Sequence, residues 1–111
     1  MSTDTTIEIT QVTCESTSEA GHDEVYIQYS IDNGKYKRYP DSGYTSMAPG
    51  DTWDADLVIT FKTSVSVQLY DNDSPGHDDL LGSHTYTASD PQPETVTVSN
   101  TNGAEYQISS T

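Results

Sequence analysis

The sequence is short of positive charge. Lys and Arg together number 4 against 18 Asp and Glu, so the net charge is −14 over 111 residues. Such a surface repels the phosphates of nucleic acids, which excludes a nucleic-acid partner, and it disfavours an anionic membrane. Cationic partners, and metal ions first among them, are favoured.

Cysteine and long apolar runs are also scarce. Cys14 is the single cysteine, so no internal disulfide can form, and its strand pattern suits a small buried side chain better than a nucleophile. No apolar run approaches the roughly 20 residues of a transmembrane helix. The start, MSTDTTIEIT, lacks the basic and apolar parts of a signal peptide, and we expect none.

Aliphatic residues are few as well, since Ile, Leu, Val and Phe number 18, a content typical of disordered chains. Eight tyrosines and one tryptophan restore apolar area, however, and the apolar residues are periodic. We therefore expect a single folded domain over residues 1–111, with residues 1–6 as a flexible start. No nucleophile-elbow or phosphate-binding glycine pattern is present, so we expect no enzyme.

Apolar and polar residues alternate along most of the chain, and no window has helical spacing. Residues 53–61 show this best, with one face carrying Trp53, Ala55, Leu57, Ile59 and Phe61. Residues 25–31 and 65–69 follow the same pattern, as do more weakly 83–87 and 7–14, where a parity shift predicts a bulge. The sequence thus predicts an all-β fold, an eight-stranded antiparallel β-sandwich.

Two Asn-Gly pairs predict hairpin turns. A two-residue turn at Asn33 and Gly34 places Ile31 opposite Tyr36 on the apolar face. Residues 39–51 that follow are predicted to be a loop from their Pro, Gly, Ser and Asp content.

At the second Asn-Gly pair a two-residue turn would put the apolar residues on opposite faces. A three-residue loop over 101–103, with Gly103 in the left-handed conformation, instead pairs Val98 with Tyr106 and Val96 with Ile108. We prefer the three-residue loop.

The stretch VQLYDNDSPGHDDLLGS, residues 67–83, contains four aspartates: Asp71, Asp73, Asp78 and Asp79. Crowded anions raise each other's pKa unless a cation is present, and short oxygen ligands on a turn-rich loop suit calcium, which takes six to eight oxygens. A solvated acidic turn is the alternative. An EF-hand is excluded, because Gly82 stands where its bidentate glutamate belongs and strands flank the loop.

The stretch VSVQLYDNDSPGHDDLLGSHTY resembles the strand-loop-strand signature of the C2 domain, in which a strand ends in Asp-x-Asp and the loop adds an Asp at i+8. GHDEVYIQY is similar to the first calcium loop of that family, and GDTWDADLVITF to the segment leading towards its third loop. The three segments keep the family's order over roughly residues 7–90. The resemblance implies a C2-like sandwich that binds calcium in loops at one end.

The resemblance also implies calcium ligands, residue by residue. Asp71, Asp73 and Asp79 match the third loop of the family. Asp23 matches the second ligand of the first loop, where Glu24 replaces the usual Pro. One to two calcium ions are expected.

The family's earlier acidic ligand of the first loop falls near Thr17, which cannot replace a carboxylate. Glu15 or Glu19 from a shifted loop could take its place, and we favour Glu19. Asp78 is an additional candidate ligand.

The tripeptide GHD occurs at 21–23 and again at 76–78. If the two loops converge, His22 and His77 stand near the carboxylates, and mixed His and Asp ligands suit zinc better than calcium. Two solvated loop histidines are the favoured explanation.

The segment GKYKRYP contains three of the four basic residues, and its candidate partner-binding residues are Lys35, Tyr36, Lys37, Arg38 and Tyr39. Basic and aromatic side chains together suit an acidic protein or a glycan. The alternative, which we favour, is that the charges keep an exposed strand soluble.

These features favour a non-catalytic, calcium-binding, metal-stabilised module that binds a protein or a glycan. A calcium-dependent phospholipid membrane-targeting domain is the first alternative, disfavoured because the loop tips lack large apolar side chains. The second is a structural or assembly subunit in which calcium, or zinc at His22 and His77, is only a staple.

Overall fold

The computed structural model describes residues 4–73 and 76–111, in which all regular secondary structure is β-strand. The ten strands are β1 (Thr5–Ser16), β2 (Asp23–Ile31), β3 (Tyr36–Tyr39), β4 (Thr45–Met47), β5 (Thr52–Trp53), β6 (Leu57–Phe61), β7 (Ser64–Asp71), β8 (Asp79–Thr87), β9 (Glu94–Ser99) and β10 (Glu105–Ser110). No helix within the described ranges is long and apolar enough to span a membrane.

The strands form two five-stranded antiparallel sheets. One sheet has the order β5-β1-β10-β9, with β6 also paired to β1, and the other has the order β3-β2-β7-β8, with β4 also paired to β2. A single core lies between the sheets. The all-β antiparallel sandwich predicted from the alternating pattern is thus confirmed.

The core combines alternating aliphatic residues with tyrosines. Val65, Val67 and Leu69 of β7 are fully buried at every second position, as period-two alternation requires. Tyr86 and Tyr106 are the largest fully buried side chains. The buried tyrosines therefore fill core volume that the few aliphatic residues do not fill.

The structure has ten strands where the sequence predicted eight. The predicted strand over 53–61 is divided into β5 and β6, because Asp56 adopts a positive φ of 51° and breaks the extended run. Trp53 then pairs with Val12, and Leu57 pairs with Ile9. The predicted loop over 39–51 contains the short strand β4, which pairs with β2.

The first strand has the predicted bulge, seen as a register shift against β10 between Ile9 and Gln11. It begins earlier than predicted, at Thr5. Thr5 and Thr6 pair with Phe61 and Thr60 of β6. These two residues are therefore part of the sheet and not of a flexible start.

The predicted register of the first hairpin is wrong by one residue. Tyr36 pairs with Ser30 and not with Ile31. The turn is centred on Asp32 and Asn33, which have φ angles of 51° and 62°, and Gly34 N–H donates to the Ile31 carbonyl at 2.8 Å. Asp32 is held there because its carboxylate accepts hydrogen bonds from the backbone of residues 62–64. These residues are distant in sequence, so the local turn pattern could not indicate this contact.

The second hairpin has the predicted register. Val98 pairs with Tyr106 and Val96 with Ile108, and Gly103 has a φ of 98°, in the region that favours glycine. The turn also has contacts from outside the hairpin, since Asn102 Nδ2 donates to the Leu80 carbonyl at 3.1 Å and Ser16 Oγ donates to the Gly103 carbonyl at 2.7 Å. These contacts accompany the register that turn chemistry and the burial of one face favour.

Candidate metal centre

Two loops that carry acidic residues lie at the same end of the sandwich. The first connects β1 to β2 over residues 17–22, and the second connects β7 to β8 after Asp71. Asp71 pairs with Val25 of β2 and with Asp79 of β8, so the ends of these strands lie side by side. The tip residues Ser74 and Pro75 are outside the described residues.

The structure brings five of the six sequence-predicted ligands into two groups that share Asp71. Glu19, Asp23 and Asp71 form one group, and Asp71, Asp73 and Asp79 form the other. Within each group one carboxylate oxygen per residue lies within 4.8 Å of the others. Glu19, preferred over Glu15 from the sequence, thus stands beside the two buried aspartates.

Asp23 is fully buried at the first residue of β2. Its carboxylate accepts hydrogen bonds from Ser18 N at 3.0 Å, from Ser18 Oγ at 2.8 Å and from the Tyr106 hydroxyl at 2.6 Å. Burial of a carboxylate is costly unless its oxygens are bonded. These donors fix the carboxylate at the base of the first loop.

Asp71 is also fully buried, at the last residue of β7. Its main hydrogen bond is from Glu24 N to Oδ1, at 2.7 Å. Burial, reinforced by Asp23 and Asp73, raises the pKa of Asp71 to about 7, although the Glu24 N–H acts in the opposite direction. A raised carboxyl pKa signals a site that lacks positive charge.

Asp73 carries the same signal in a more open position. Its contact with Asp79 raises the pKa of Asp73 to about 6, with further contributions from burial and from Glu19 and Glu24. The charged groups that act on this carboxyl are all acidic. The two groups of carboxylates are therefore mutually repulsive in the absence of a cation.

Asp78, the sixth predicted ligand, belongs to neither group. Its carboxylate accepts hydrogen bonds from the Tyr26 hydroxyl and from Asp73 N, the latter at 3.1 Å. Burial, followed by this bond to Asp78, raises the pKa of Tyr26 to about 12. In this arrangement Asp78 fastens the loop between β7 and β8 to β2 and orients the backbone at Asp73.

The two loop histidines are exposed, and neither joins a cluster of three metal-ligand residues in the described part of the chain. The positions of His22 and His77 therefore do not support the hypothesis that they bind zinc as a pair. What the loops do bring together is a set of carboxylates.

The donor set fits calcium. Every candidate ligand supplies oxygen, two carboxylates are buried, and the charged neighbours of Asp73 add only negative charge. Hard oxygen donors on loops of loose geometry are what calcium prefers, whereas zinc favours nitrogen and sulfur. Two groups with one shared carboxylate suit one or two ions.

The basic segment is divided by the fold into structural and exposed residues. Arg38 donates to the carbonyls of Pro40 at 2.9 Å and Gly43 at 2.7 Å, and its guanidinium lies 4.0 Å from the centre of the Tyr26 ring. Tyr39 stacks on Trp53 and donates to the Ala55 carbonyl at 2.6 Å.

Lys35, Tyr36 and Lys37 are the exposed members of the segment, with Tyr36 at 50% exposure. They lie on or beside β3, which is at the edge of its sheet. Of the five predicted partner-binding residues, these three are placed where a partner could reach them.

Sequence reasoning missed the residues that hold the carboxylates in place. Ser18 and Tyr106 donate to Asp23, and Glu24 donates to Asp71 through its backbone. Tyr106 is 83 positions from Asp23, so no local pattern could indicate it. Ser18 was detectable only as one of several small residues in the first loop.

Comparisons with known proteins agree on the fold. No family model matches the sequence, and no curated protein matches it either. Among solved structures, a C2 domain of a plant extended synaptotagmin 1 is similar with a TM-score of 0.63 at 10% identity, over 96% of this chain and 91% of that one.

A C2 domain-containing protein from a putative elicitor-responsive gene is similar with a TM-score of 0.64 at 13% identity, over 98% of this chain and 85% of that one. A CC2D1B structure is similar with a TM-score of 0.62 at 9% identity, over 99% of this chain, which spans 54% of that one. The chain therefore has the fold of a C2 domain, as the resemblance implied.

Proposed function

We propose that the chain is a calcium-binding module whose acidic loops take one or two ions. The observation that carries this proposal is the position of Asp71, fully buried and shared by two groups of carboxylates. A buried carboxylate with no positive charge nearby is unfavourable. A bound divalent ion offsets that electrostatic penalty, which favours binding of the ion. The ion then joins the two loops and the strands β2, β7 and β8 that carry them.

We further propose that the ion stabilises a binding surface and takes no part in catalysis. Two calcium ions change the formal charge from −14 to −10, which leaves the surface strongly acidic. Such a surface suits a protein or glycan partner that is neutral or basic. Lys35, Tyr36 and Lys37 form a basic, aromatic patch on the exposed edge at β3, in contrast to the acidic remainder of the surface. An acidic or sugar-bearing partner could be held at this patch.

A calcium-dependent membrane-targeting function is the alternative, and the loop tips support it poorly. The described tip residues are small or polar, namely Ser18, Glu19, Ala20, Gly21, His22, Gly76 and His77. None of these is a large apolar side chain of the kind that inserts among lipids. The remaining negative charge also opposes contact with an anionic leaflet.

The experiment that tests calcium binding is a thermal melt in excess calcium and in chelator, together with calorimetric titration. At calcium one hundred times above Kd, linkage adds about 2.7 kcal/mol, which raises Tm by roughly 10 °C or more for a domain of this size. Asp73→Asn should reduce that rise. Asp41→Asn, an equal change of charge at an exposed loop residue, should leave it intact.

Equal melting temperatures in calcium and chelator would refute the proposal. Sedimentation with phosphatidylserine vesicles, with and without calcium, separates the membrane alternative, because our proposal expects no calcium-dependent binding. Molecular mass as a function of concentration, with and without chelator, tests the other alternative, a calcium-stapled assembly subunit.

A further inference from the structure

A second cluster of metal-ligand side chains lies where the edges of the two sheets meet. β8 is the edge of one sheet and β9 the edge of the other. They approach so closely at Gly82 that a Cβ there would stand 2.7 Å from the Cβ of Val98. His84 follows two residues later on the same face of β8, and it meets Asp90 in the connecting loop and Glu94 at the start of β9.

The three side chains have the spacing of an open ligand set. One donor atom from each of His84, Asp90 and Glu94 lies within 4.8 Å of the others, and all three residues are half-buried. Tetrahedral zinc with bonds near 2.0–2.1 Å separates its ligands by about 3.4 Å. Side-chain rotations that shorten the distances between the donor atoms by no more than about 1.4 Å would therefore give the ligand spacing of a zinc site.

Both carboxylates are oriented by neighbours of their own. Asp90 accepts hydrogen bonds from Thr87 N at 2.9 Å and from Thr87 Oγ1 at 3.0 Å. Gln92 Nε2 lies 3.5 Å from Glu94 Oε1, to which it donates. Such outer partners commonly hold metal ligands in position.

His84 has no comparable partner within residues 4–73 and 76–111, where no hydrogen bond uses its ring nitrogens. Its ring packs edge-on against Tyr86, with the centroids 4.6 Å apart. Its ring nitrogens are therefore available as ligands beside the two carboxylates.

An independent observation points to a missing ligand at this cluster. Tyr86 is fully buried, and its hydroxyl has no hydrogen-bond partner among the described residues. The Tyr86 ring packs against that of His84, so this unpartnered buried hydroxyl belongs to a side chain in contact with the cluster.

We propose that His84, Asp90 and Glu94 bind a divalent transition-metal ion of the zinc class, and that the Tyr86 hydroxyl donates to an oxygen bound to that ion. The nitrogen donor separates this site from the acidic loops, because calcium takes oxygen ligands and zinc accepts imidazole. His84 lies five residues along β8 from Asp79, about 17 Å at strand rise. The two sites are therefore distinct.

The test is zinc titration of the full chain by calorimetry in millimolar calcium, so that the acidic loops are occupied. We expect one zinc ion per chain, with an affinity that falls at least tenfold in His84→Ala and in the near-isosteric Glu94→Gln. Asp73→Asn, which alters only the calcium loops, should bind zinc as the parent does. Circular dichroism verifies that each variant is folded.

Absence of zinc binding at micromolar concentrations would overturn the proposal, as would zinc binding that His84→Ala and Glu94→Gln preserve but Asp73→Asn loses. Cobalt provides a spectroscopic check, since its visible absorption should report a bound state in the parent that His84→Ala lacks. Tyr86→Phe tests the phenol. Weaker zinc binding supports its role, whereas unchanged affinity would refute it.

Discussion

Asp71 and Asp32 are the same residue type at the ends of neighbouring strands, yet they have opposite environments. Asp71 is fully buried among acidic groups, and its pKa is raised to about 7, chiefly by burial. Asp32 is exposed, and hydrogen bonds from the backbone N–H groups of Thr63, Lys62 and Ser64 lower its pKa. Asp32 therefore has several hydrogen-bond donors within the chain, whereas Asp71 has few.

The difference separates a carboxylate whose charge is compensated within the chain from one whose charge is not. Asp32 ties the β2–β3 turn to the segment before β7, with the Thr63 N–H at 2.6 Å, so its charge is already compensated. Asp71 has one close backbone donor, from Glu24, and a longer bond from the Ser18 hydroxyl at 3.4 Å, and its charged neighbours Asp23 and Asp73 are negative. Residue type alone does not distinguish the two, and the surrounding donors do.

The largest expected effect is at Asp71. Asp71→Asn removes a buried charge from an acidic cluster, so the variant should melt at a higher temperature than the parent in chelator. It should also lose the calcium increment of about 2.7 kcal/mol expected at one hundred times Kd. Differential scanning calorimetry in both buffers measures the two changes, and a calcium increment equal to that of the parent would contradict the assignment.

Tyr106→Phe tests whether the support of the site comes from the opposite sheet. The change removes the 2.6 Å hydrogen bond to the buried Asp23, and a bond to a charged group contributes about 1.5–3 kcal/mol. Urea unfolding should show this loss with and without calcium. Tyr36→Phe at the exposed edge is the matched control, and an equal effect of the two changes would argue against a specific role.

The pH dependence of stability should have opposite signs in the two environments. In the metal-free protein the raised pKa values of Asp71 and Asp73, about 7 and about 6, mean that the folded state holds protons that the unfolded state has lost. Stability should therefore fall as pH rises from about 4 to about 7. Saturating calcium should flatten this slope, because the ion replaces the protons.

Asp32, whose pKa is lowered from 3.8, contributes stability that is present above that value and is lost as pH falls through its folded pKa. Unfolding midpoints measured between pH 3 and 8, with calcium and with chelator, would show both windows. A metal-free stability that rises between pH 4 and 7 would contradict the carboxylate assignments.

The smallest effect is expected for Asp32→Asn. The amide oxygen can still accept from the backbone, so the variant should lose only the charge-assisted part of three bonds. Its Tm should fall slightly, by the same amount in calcium and in chelator. A calcium-dependent difference would mean that the turn is coupled to the metal centre.

Period-two alternation was enough to predict the sandwich. The spacing of Asp71, Asp73 and Asp79 predicted that these three carboxylates act together, and the fold brings one oxygen of each within 4.8 Å of the others. Residues 101–103 also have the predicted loop, since turn chemistry and burial there favour the same register. The division of residues 53–61 into two strands was not predictable, because it depends on Asp56 and on the pairing of Trp53 and Leu57 along β1.

The fold class, the acidic surface and the oxygen-rich loop could be predicted from the sequence alone, since each follows from composition or from neighbours along the chain. The folded arrangement fixed which carboxylates are buried, that Asp78 binds Tyr26, and that Tyr106 supports Asp23. It also decided that His84 meets Glu94 between the sheet edges. Burial and donor supply depend on segments far apart in sequence, and these two quantities set the electrostatic environment of each aspartate.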